Sequence, residues 1–577
     1  MDINVTEIKE YISKAYKDIG MIPINGQDSI VEKILTDFFI NKKRNVILSA
    51  DTGTGKSIIG AVVAKVFSYV FEDDESEDRV FPSMIVVHSN SLVKQYGETF
   101  NKFASNEFHQ IIGANNYHCA AATALSKENE VLNAEDCFES IADEQIKKKY
   151  CIDCEYKRAK SYVNNTDCLI TNYSYHFISR MVSNHVAKRK LMVFDEAHNV
   201  NEVFCDHNSV HVSKEKLEKY IDETKLYFSV ETKAHRKVLR DIRDQLENKE
   251  IRESNYVNSL RELMNAYRGI SRIFKDKNTD KSDIEKYMKL NRIMKKYDDL
   301  ASKISDLFIF KYDHAFDGYD PENKNHYGDK YPREFTIKPI FVGSMADKIM
   351  SEYNLFMSAT ISDEFMITTM GLNPEETAFI KLPPVYDPEN KTIVFSGAHK
   401  LNFAAMKDQA VLNDLCETVK TILDDAHNDN YKGLILTPSF DVTEMIANII
   451  PSHTKIFQHK RGTKIDPLIQ QFKAYTGGSA VLISPSIYEG LDFKDDFSRF
   501  QIIFKAPYPS LGDKRMKYIA SNYPKVYRIM TLMKIVQGVG RSVRNKDDWA
   551  ITFMLDKNAE ELFNSNLNVW YDQFNVI

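Results

Sequence analysis

Short apolar runs that end at small or polar residues recur along this chain of 577 residues, and each one predicts a buried strand. Such runs cover residues 45–49 and 191–194 in the first part of the chain, and residues 434–436, 481–483 and 502–504 in the last part. Helical stretches alternate with these runs. The alternation favours an α/β fold built from two parallel-sheet lobes with helices on both faces of each sheet.

The first of these strands runs into a glycine-rich loop, which is followed by an apolar helix. Gly53 and Gly55 allow a tight turn whose N–H groups face phosphate oxygens, and Lys56 can reach the β- and γ-phosphates. The Ser57 hydroxyl can bind Mg²⁺, and the dipole of the following helix also favours phosphate. The predicted nucleotide-binding residues of this loop are Ala50, Asp51, Thr52, Gly53, Thr54, Gly55, Lys56 and Ser57.

Two adjacent carboxylates, Asp195 and Glu196, follow the strand predicted at residues 191–194. They emerge at its carboxyl end, where ligands bind in open α/β sheets. We predict that Asp195 binds Mg²⁺ and that Glu196 orients and deprotonates the water that attacks the terminal phosphate. His198 is predicted to link hydrolysis to the second lobe. The sequence Asp-Glu-Ala-His is a weak signal alone, and the phosphate loop makes it a strong one.

Six further segments occur in an order that resembles the XPD/DinG family of superfamily-two helicases. They are residues 85–95, 169–175, 357–360, 434–439, 488–493 and 537–544. Each segment is short enough to occur by chance, but the shared order extends over nearly the whole chain. The resemblance implies an ATP-dependent DNA helicase with two RecA-like lobes and ATP in the cleft between them.

The resemblance also implies roles for individual residues in these segments. It implies catalytic roles for Gln537, Arg541 and Arg544, nucleotide contacts for Gln27, Gly490 and Asp492, and DNA contacts for Ser89, Asn90, Thr437 and Ser439. A guanidinium from the second lobe can stabilise charge on the γ-phosphate, which makes hydrolysis depend on lobe closure. The arginine that family members carry ahead of the glutamine is absent before Gln27, so adenine selectivity from this segment is open.

Four of the seven cysteines lie between the two halves of the predicted ATP site, at Cys119, Cys137, Cys151 and Cys154. Their spacing is C-x17-C-x13-C-x2-C. Four thiolates suit a [4Fe–4S] cluster, and they also suit structural zinc, although zinc sites more often show two C-x2-C pairs. The family resemblance favours the cluster, with zinc as the alternative. The remaining cysteines, at positions 168, 205 and 416, are expected to be small core residues.

The sequence around the last two of these cysteines is basic and aromatic. The residues predicted to contact DNA there are Lys147, Lys148, Lys149, Tyr150 and Arg158. Lysine and arginine neutralise phosphates, and aromatic rings stack on unpaired bases. Runs of charge are usually solvated surface, but this one adjoins the predicted metal site on an acidic chain.

Composition narrows the class of protein without indicating the function. Hydrophobic residues make up 43% of the chain, charged residues make up 27%, and the net charge is −6, which is ordinary for a soluble globular protein. No apolar stretch reaches the ~18 residues that span a membrane, and the first residues lack the basic region of a signal peptide. We expect a cytoplasmic protein without a membrane partner. Because the chain is acidic, DNA would have to follow a local basic channel.

The predicted domain order places two inserts in the first lobe. The first lobe covers residues 1–105, 165–205 and 335–372, the cysteine insert covers 106–164, a helical arch-like insert covers 206–334, and the second lobe covers 373–577. Some family members carry an N-terminal exonuclease, but only 26 residues precede Gln27, so none is expected.

The expected function is a monomeric, ATP- and Mg²⁺-dependent DNA helicase that acts on single-stranded and forked DNA. The resemblance implies 5′→3′ movement and a role in DNA repair, replication or recombination. Two alternatives stay open: a helicase for RNA or RNA–DNA hybrids, since such lobes mainly contact the backbone, and a non-catalytic nucleic-acid-binding module. The intact Lys56, Asp195 and Glu196 argue against the last of these.

Overall fold

The structure is a computed structural model, and the description below covers the following residues: 3–24, 26–71, 80–100, 108–125, 132–136, 149–180, 186–278, 284–306, 314–319, 333–402, 404–487, 493, 495–543 and 545–577. Within these ranges, no helix is both long enough and apolar enough to cross a membrane.

Strands and helices alternate along most of the chain. The strands are β1 (Asn45–Ser49), β2 (Phe81–Val87), β3 (Phe108–Gln110), β4 (Cys168–Asn172), β5 (Arg189–Asp195), β6 (Val210–Ser213), β7 (His314–Tyr319), β8 (Glu334–Pro339), β9 (Tyr353–Ser358), β10 (Thr377–Lys381), β11 (Lys391–Phe395), β12 (Lys432–Leu436), β13 (Lys455–Gln458), β14 (Ala480–Ser484), β15 (Phe500–Ile503), β16 (Ala550–Met554) and β17 (Asn575–Val576). The helices are α1 (Val5–Asp18), α2 (Gln27–Phe39), α3 (Lys56–Val70), α4 (Asn90–Phe100), α5 (Ala120–Leu125), α6 (Glu155–Tyr162), α7 (Tyr173–Ile178), α8 (Val200–His207), α9 (Lys214–Tyr227), α10 (Lys233–Glu247), α11 (Tyr256–Lys277), α12 (Ile284–Asp306), α13 (Ala346–Ile349), α14 (Asp363–Met370), α15 (Gln409–Asn428), α16 (Phe440–Ala447), α17 (Asp466–Ala474), α18 (Lys514–Asn522), α19 (Pro524–Val539) and α20 (Lys557–Phe563).

Two parallel sheets form the two lobes, which confirms the predicted α/β fold. The first sheet has the strand order β10-β1-β9-β5-β2-β4-β3, and the second has the order β13-β14-β12-β15-β16-β11-β17. All residues of β1, β2 and β4 are buried, as expected for parallel strands with helices on both faces. The carboxyl ends of β1 and β5 therefore lie at the same edge of the first sheet, with β9 between them.

The boundary between the lobes differs from the predicted one at residues 372 and 373. Strand β10 pairs in parallel with β1 in the first sheet, and the Leu382 N–H donates to the Ser49 carbonyl at 2.9 Å. The chain therefore leaves the first sheet only after Lys381 and enters the second sheet at Lys391, the first residue of β11.

The second insert combines helices with a small antiparallel sheet. Helices α9 to α12 make up the predicted helical part, and Leu239, Ile242 and Leu246, which share one face of α10, are fully buried. Strands β6, β8 and β7 form the sheet, and β8 continues to Pro339, past the predicted end at residue 334. The insert has a hydrophobic core of its own, formed by these helices and this sheet.

The two lobes share one hydrophobic cluster. Phe194 and Phe356 of the first sheet belong to the same cluster as Ile519 of α18 and Leu532 of α19. Helices α18 and α19 therefore pack the second lobe against the first. Among the isolated cysteines, those at positions 168 and 205 are buried, as expected, and that at 416 is partly buried.

Candidate nucleotide site between the lobes

The glycine-rich loop connects the end of β1 to the start of α3. Gly53 and Gly55 have φ angles of 89° and 74°, in the left-handed region that glycine tolerates best. The Lys56 ammonium donates to the main-chain carbonyls of Ala50 and Asp51 at 3.0 and 3.1 Å. The loop thus has the strand–turn–helix context that a phosphate-binding loop requires.

Gln27 holds this loop through its backbone. Its side chain is fully buried, its Nε2 donates to the Thr54 carbonyl at 2.8 Å, and its Oε1 accepts from the Ile24 N–H at 3.3 Å. A Cβ atom at Gly55 would lie only 2.2 Å from the Gln27 Nε2. Gln27 therefore lies at the predicted site and supports the phosphate loop directly.

Asp195 lies at the end of β5 and is held by two tyrosines that the sequence reasoning missed. The Tyr96 hydroxyl donates to Asp195 Oδ2 at 2.7 Å, and the Tyr173 hydroxyl donates to the Asp195 main-chain carbonyl, also at 2.7 Å. Burial, and then the charge of Glu196, raise the pKa of Asp195.

Glu196 adopts a left-handed backbone conformation with φ of 52°, which is uncommon for a residue with a side chain. Its Oε2 lies 3.4 Å from His198 Nδ1 and accepts a hydrogen bond of 3.4 Å from the Ser358 hydroxyl. Burial opposes ionisation, but the charge of Lys56, followed by those of His198 and Arg541, lowers the pKa of Glu196. Glu196 is thus kept as a carboxylate, the form a general base needs.

A series of hydrogen bonds runs from this carboxylate to the second lobe. The Ser358 Oγ also contacts His198 Nδ1 at 2.7 Å and accepts from the Thr360 N–H at 3.1 Å. Gln537 of α19 then donates through Nε2 to the Thr360 hydroxyl at 3.0 Å. His198 therefore lies in a network that reaches the second lobe.

A cleft of about 440 Å³ lies between the lobes, and Glu196, His198, Thr360 and Gln537 are in its wall, whereas Lys56, Ser57 and Asp195 are not among its lining residues. Arg541 lies on the second-lobe side of the cleft, opposite Glu196 and His198 on the first-lobe side. The lining also includes Asp51, Thr52, Ser89, Lys391 and Phe574. The predicted residues Arg544, Gly490 and Asp492 lie outside the described residues.

The predicted DNA-contacting residues of the lobes lie in two places. The Asn90 side chain accepts from Asn172 Nδ2 and donates to Asn116 Oδ1 at 2.9 Å, while Ser89 lines the cleft. In the second lobe, Ser439 caps α16 by accepting from the Val442 N–H at 3.3 Å. Thr437 is 1% exposed, and its hydroxyl lies 2.5 Å from that of Thr443.

Two of the three described cysteines of the first insert belong to one small cluster. Cys119 and Cys151 share one small buried cluster, and Cys154 is the N-cap residue of α6. Thiols that come together from separate parts of the chain fit the thiolate ligands of a cluster or of zinc. Cys137 lies outside the described residues, and among the residues that are described no three potential ligands are grouped closely enough to hold a metal ion. The complete ligand set stays a prediction.

A basic groove of about 790 Å³ separates this cysteine segment from the second insert. Its lining includes Cys154, Lys157 and Lys160 on one side, and Arg292, Lys295, Lys296 and Lys303 of α12 on the other. Of the residues predicted to contact DNA here, Arg158 lines a different cavity, beside Lys94 and His109. The Lys149 ammonium lies 4.9 Å from the centre of the Tyr150 ring. Lys147 and Lys148 lie outside the described residues.

Comparison with known proteins agrees with this arrangement. Residues 423–571 match the family model described as "Helicase C-terminal domain", and residues 21–231 match the model described as "Type III restriction enzyme, res subunit". A solved XPD helicase shares the fold over 96% of this chain and 99% of its own, with a TM-score of 0.59 at 17% identity. Xpd4 of S. tokodaii aligns over 96% of this chain and 100% of its own, with a TM-score of 0.56 at 13% identity.

Two curated relatives are similar over part of their length. ATP-dependent DNA helicase CHL1 of Meyerozyma guilliermondii is 21% identical over 471 residues, which cover 70% of this chain and 56% of the relative. ATP-dependent DNA helicase chl-1 of Caenorhabditis elegans is 27% identical over 109 residues, which cover 17% of this chain and 13% of the relative. The chain thus spans about half or less of the length of these relatives.

The two parallel-sheet lobes, with a phosphate-type loop at the end of β1, define a two-lobe α/β fold with a cleft between the lobes. Within that class, the chain is similar in fold to the XPD helicase structures, and two parts of it match the two family models named above.

Proposed function

We propose that this protein is an ATP-dependent DNA helicase that moves on single-stranded DNA and unwinds duplexes. The observation that carries the proposal is the cleft itself, in which Glu196 and His198 of the first lobe face Arg541 of the second. The two curated relatives, which are named ATP-dependent DNA helicases, support DNA as the substrate.

The residues of the cleft and of the adjoining phosphate loop have separate roles in the proposed hydrolysis of ATP. The loop N–H groups and Lys56 bind the phosphates, and Ser57 and Asp195 would hold Mg²⁺, which supplies neutralisation of phosphate charge when it is bound. Glu196 accepts a proton from the attacking water, because its neighbours keep it ionised. Arg541 stabilises the charge on the terminal phosphate from the second lobe.

Hydrolysis is coupled to movement because the site draws on both lobes. The hydrogen bond between Gln537 and Thr360 exists only while the lobes are close together, and the Ser358 hydroxyl connects it to Glu196. Closing and opening of the cleft would then advance the lobes along a DNA strand. Movement in the 5′→3′ direction and action as a monomer are part of the proposal.

The cysteine insert is proposed to be the element that separates the strands, with a [4Fe–4S] cluster held by Cys119, Cys137, Cys151 and Cys154, or zinc as the alternative. The basic groove between Lys160 and α12 is a suitable path for a negatively charged strand at a forked junction. A role in DNA repair, replication or recombination and a cytoplasmic location complete the proposal.

The test is hydrolysis of ATP by the wild-type chain with single-stranded DNA and, in parallel, with RNA of the same sequence. DNA should stimulate hydrolysis more strongly, and stronger stimulation by RNA would favour an RNA helicase. Lys56→Ala should abolish hydrolysis, and Glu196→Gln should retain ATP binding while hydrolysis falls by about 10²- to 10⁴-fold. Near wild-type hydrolysis by either variant would contradict the assignment of the site.

Direction is tested with two forked duplexes, one with a free 5′ tail and one with a free 3′ tail. Unwinding of the 5′-tailed fork is expected, and unwinding of only the 3′-tailed fork would contradict the proposed polarity. Iron and sulfide analysis of anaerobically purified protein decides between a cluster and zinc.

A further inference from the structure

A buried ion pair joins the phosphate loop to the second lobe. Lys391 Nζ lies 2.9 Å from Asp51 Oδ2, and their side chains are only 4% and 11% exposed. The other carboxylate oxygen, Asp51 Oδ1, accepts from the Thr52 N–H at 2.9 Å. The ammonium also faces the rings of Tyr386 and Phe574, at 5.9 and 5.2 Å from their centres.

A second contact brings the segment between the lobes onto the same loop. The Tyr386 hydroxyl lies so close to Gly53 that a Cβ atom there would be 2.3 Å from it. On its other side, Tyr386 packs with Val543 and Ala550 of the second lobe. Lys391 itself begins β11 and stands in register with Ala550. The loop is therefore in contact with the first residue of the second sheet through Lys391 and with the segment between the lobes through Tyr386.

The position of Asp51 poses an electrostatic problem for nucleotide binding. The loop binds phosphate through N–H groups and Lys56, and an unpaired carboxylate within it would repel the same anion. Lys391 is the cation found on that carboxylate, and it also lines the cleft. Since Lys391 comes from the second lobe, neutralisation of Asp51 requires that lobe to be in place.

We infer that Lys391 is a positioning residue of the nucleotide site: its ammonium neutralises Asp51, so that the phosphate loop accepts a triphosphate only when the second lobe is docked. The inference rests on the proposed function, because it assumes that the cleft binds ATP. Lys391 acts through Asp51, and direct contact with the phosphate is the competing explanation.

The experiment is an equilibrium titration of a fluorescent ATP analogue into the wild-type chain and its variants. Lys391→Ala should raise the Kd by about tenfold or more, because it leaves Asp51 unpaired beside the phosphates. Lys391→Arg should keep most of the affinity, since the charge is retained. The double variant Lys391→Ala/Asp51→Asn has neither charge, so its Kd should return to within about threefold of the wild-type value.

A matched control removes a different ion pair between the lobes. Lys381 Nζ lies 2.5 Å from Asp572 Oδ1, and both side chains are more exposed than those of Lys391 and Asp51. Lys381→Ala should therefore change the Kd by less than about twofold. Circular dichroism at the assay temperature shows which variants are folded.

Two results would overturn the inference: a Kd for Lys391→Ala equal to that of wild type, or a double variant as weak as Lys391→Ala. The second result would show direct contact between Lys391 and phosphate. If Lys391→Ala does not fold, the double variant decides alone, because it lacks both charges. Hydrolysis by the wild-type chain, measured in the same preparation, separates failure of this inference from failure of the proposed function.

Discussion

Arg515 should contribute more to stability than any neighbouring charge on its helix, because it is a buried cation between the two lobes. Its side chain is 1% exposed, its Nη1 lies 2.8 Å from Glu202 Oε2, and its Nε donates to the Ile340 carbonyl at 3.0 Å. Arg515 belongs to α18 of the second lobe, whereas Glu202 belongs to α8 of the first. The perturbation is Arg515→Ala.

The expected magnitude follows from the pKa of Glu202. Burial opposes its ionisation, but the charges of Arg515 and Lys338 lower the pKa from 4.5 to about 2. At about 1.36 kcal/mol per pH unit, that change corresponds to ~3.4 kcal/mol at most. Because 44% of the Glu202 side chain is exposed and Lys338 shares the interaction, about half belongs to Arg515. The lost hydrogen bond to Ile340 adds about 1 kcal/mol, so we expect the free energy of unfolding to fall by ~2–4 kcal/mol.

Denaturant unfolding followed by tryptophan fluorescence measures this change. The two tryptophans of the chain, Trp549 and Trp570, both lie in the second lobe, so their emission reports on the unfolding of that lobe. Lys514→Ala is the matched control, because the Lys514 ammonium lies 2.9 Å from Glu253 in an exposed pair and should contribute less than ~1 kcal/mol. An equal loss in the two variants would refute the reasoning.

The Arg515–Glu202 pair also predicts how the stability difference between wild type and Arg515→Ala depends on pH. The folded pKa of Glu202 is below its unfolded value, so its contribution is complete above about pH 4.5 and is lost as the pH falls towards 2. The difference in stability between wild type and Arg515→Ala should therefore shrink over that window. If the difference in free energy of unfolding stays constant as the pH falls towards 2, the effect of Arg515 comes from packing and not from its ion pair with Glu202.

Four further variants test the site and the insert. Tyr96→Phe removes the hydrogen bond to the Asp195 carboxylate and should lower the steady-state rate of ATP hydrolysis by ~10- to 100-fold. Tyr173→Phe loses only a hydrogen bond to the Asp195 main-chain carbonyl, so it should lower the rate less. Gln537→Ala should retain ATP binding but lose most of the stimulation of hydrolysis by single-stranded DNA; full stimulation would remove this residue from the coupling. Cys151→Ser should lose its bound metal and the unwinding of 5′-tailed forks while retaining ATP binding, and normal unwinding would show that the insert does not separate strands.

Much of the site was predictable because its residues adjoin strong local patterns. The phosphate loop follows β1 and the carboxylates follow β5, so the apolar strands in the sequence also locate the chemistry. Parallel pairing through β9 then brings the two strand ends to one edge. The positions of these residues could be predicted from the sequence, because short apolar runs identify the strands and ligands bind at the carboxyl ends of parallel strands.

The supporting residues were not predictable, because their roles depend on contacts between distant segments. Tyr96 has the apolar spacing of an ordinary core residue in α4, and nothing local shows that its hydroxyl reaches Asp195. Lys391 is separated from Asp51 by 340 positions in the sequence. The placement of β10 in the first sheet depends likewise on a pairing with β1 that no local pattern reveals.

The contacts between the lobes are of two kinds, and this difference determines where the molecule can open. On the cleft side, the described contacts include the polar pairs Lys391–Asp51 and Gln537–Thr360, and water or phosphate can replace partners of this kind. By contrast, α18 and the first turns of α19 share an apolar cluster with the first sheet, and separating that surface would expose it to water. Gln537 lies at the other end of α19, at the cleft. Opening of the cleft therefore costs less free energy than separation of the shared core, and we expect the lobes to rotate about α18 and the start of α19. Arg515 lies at that pivot, so its ion pair should persist while the contacts around ATP are broken and remade.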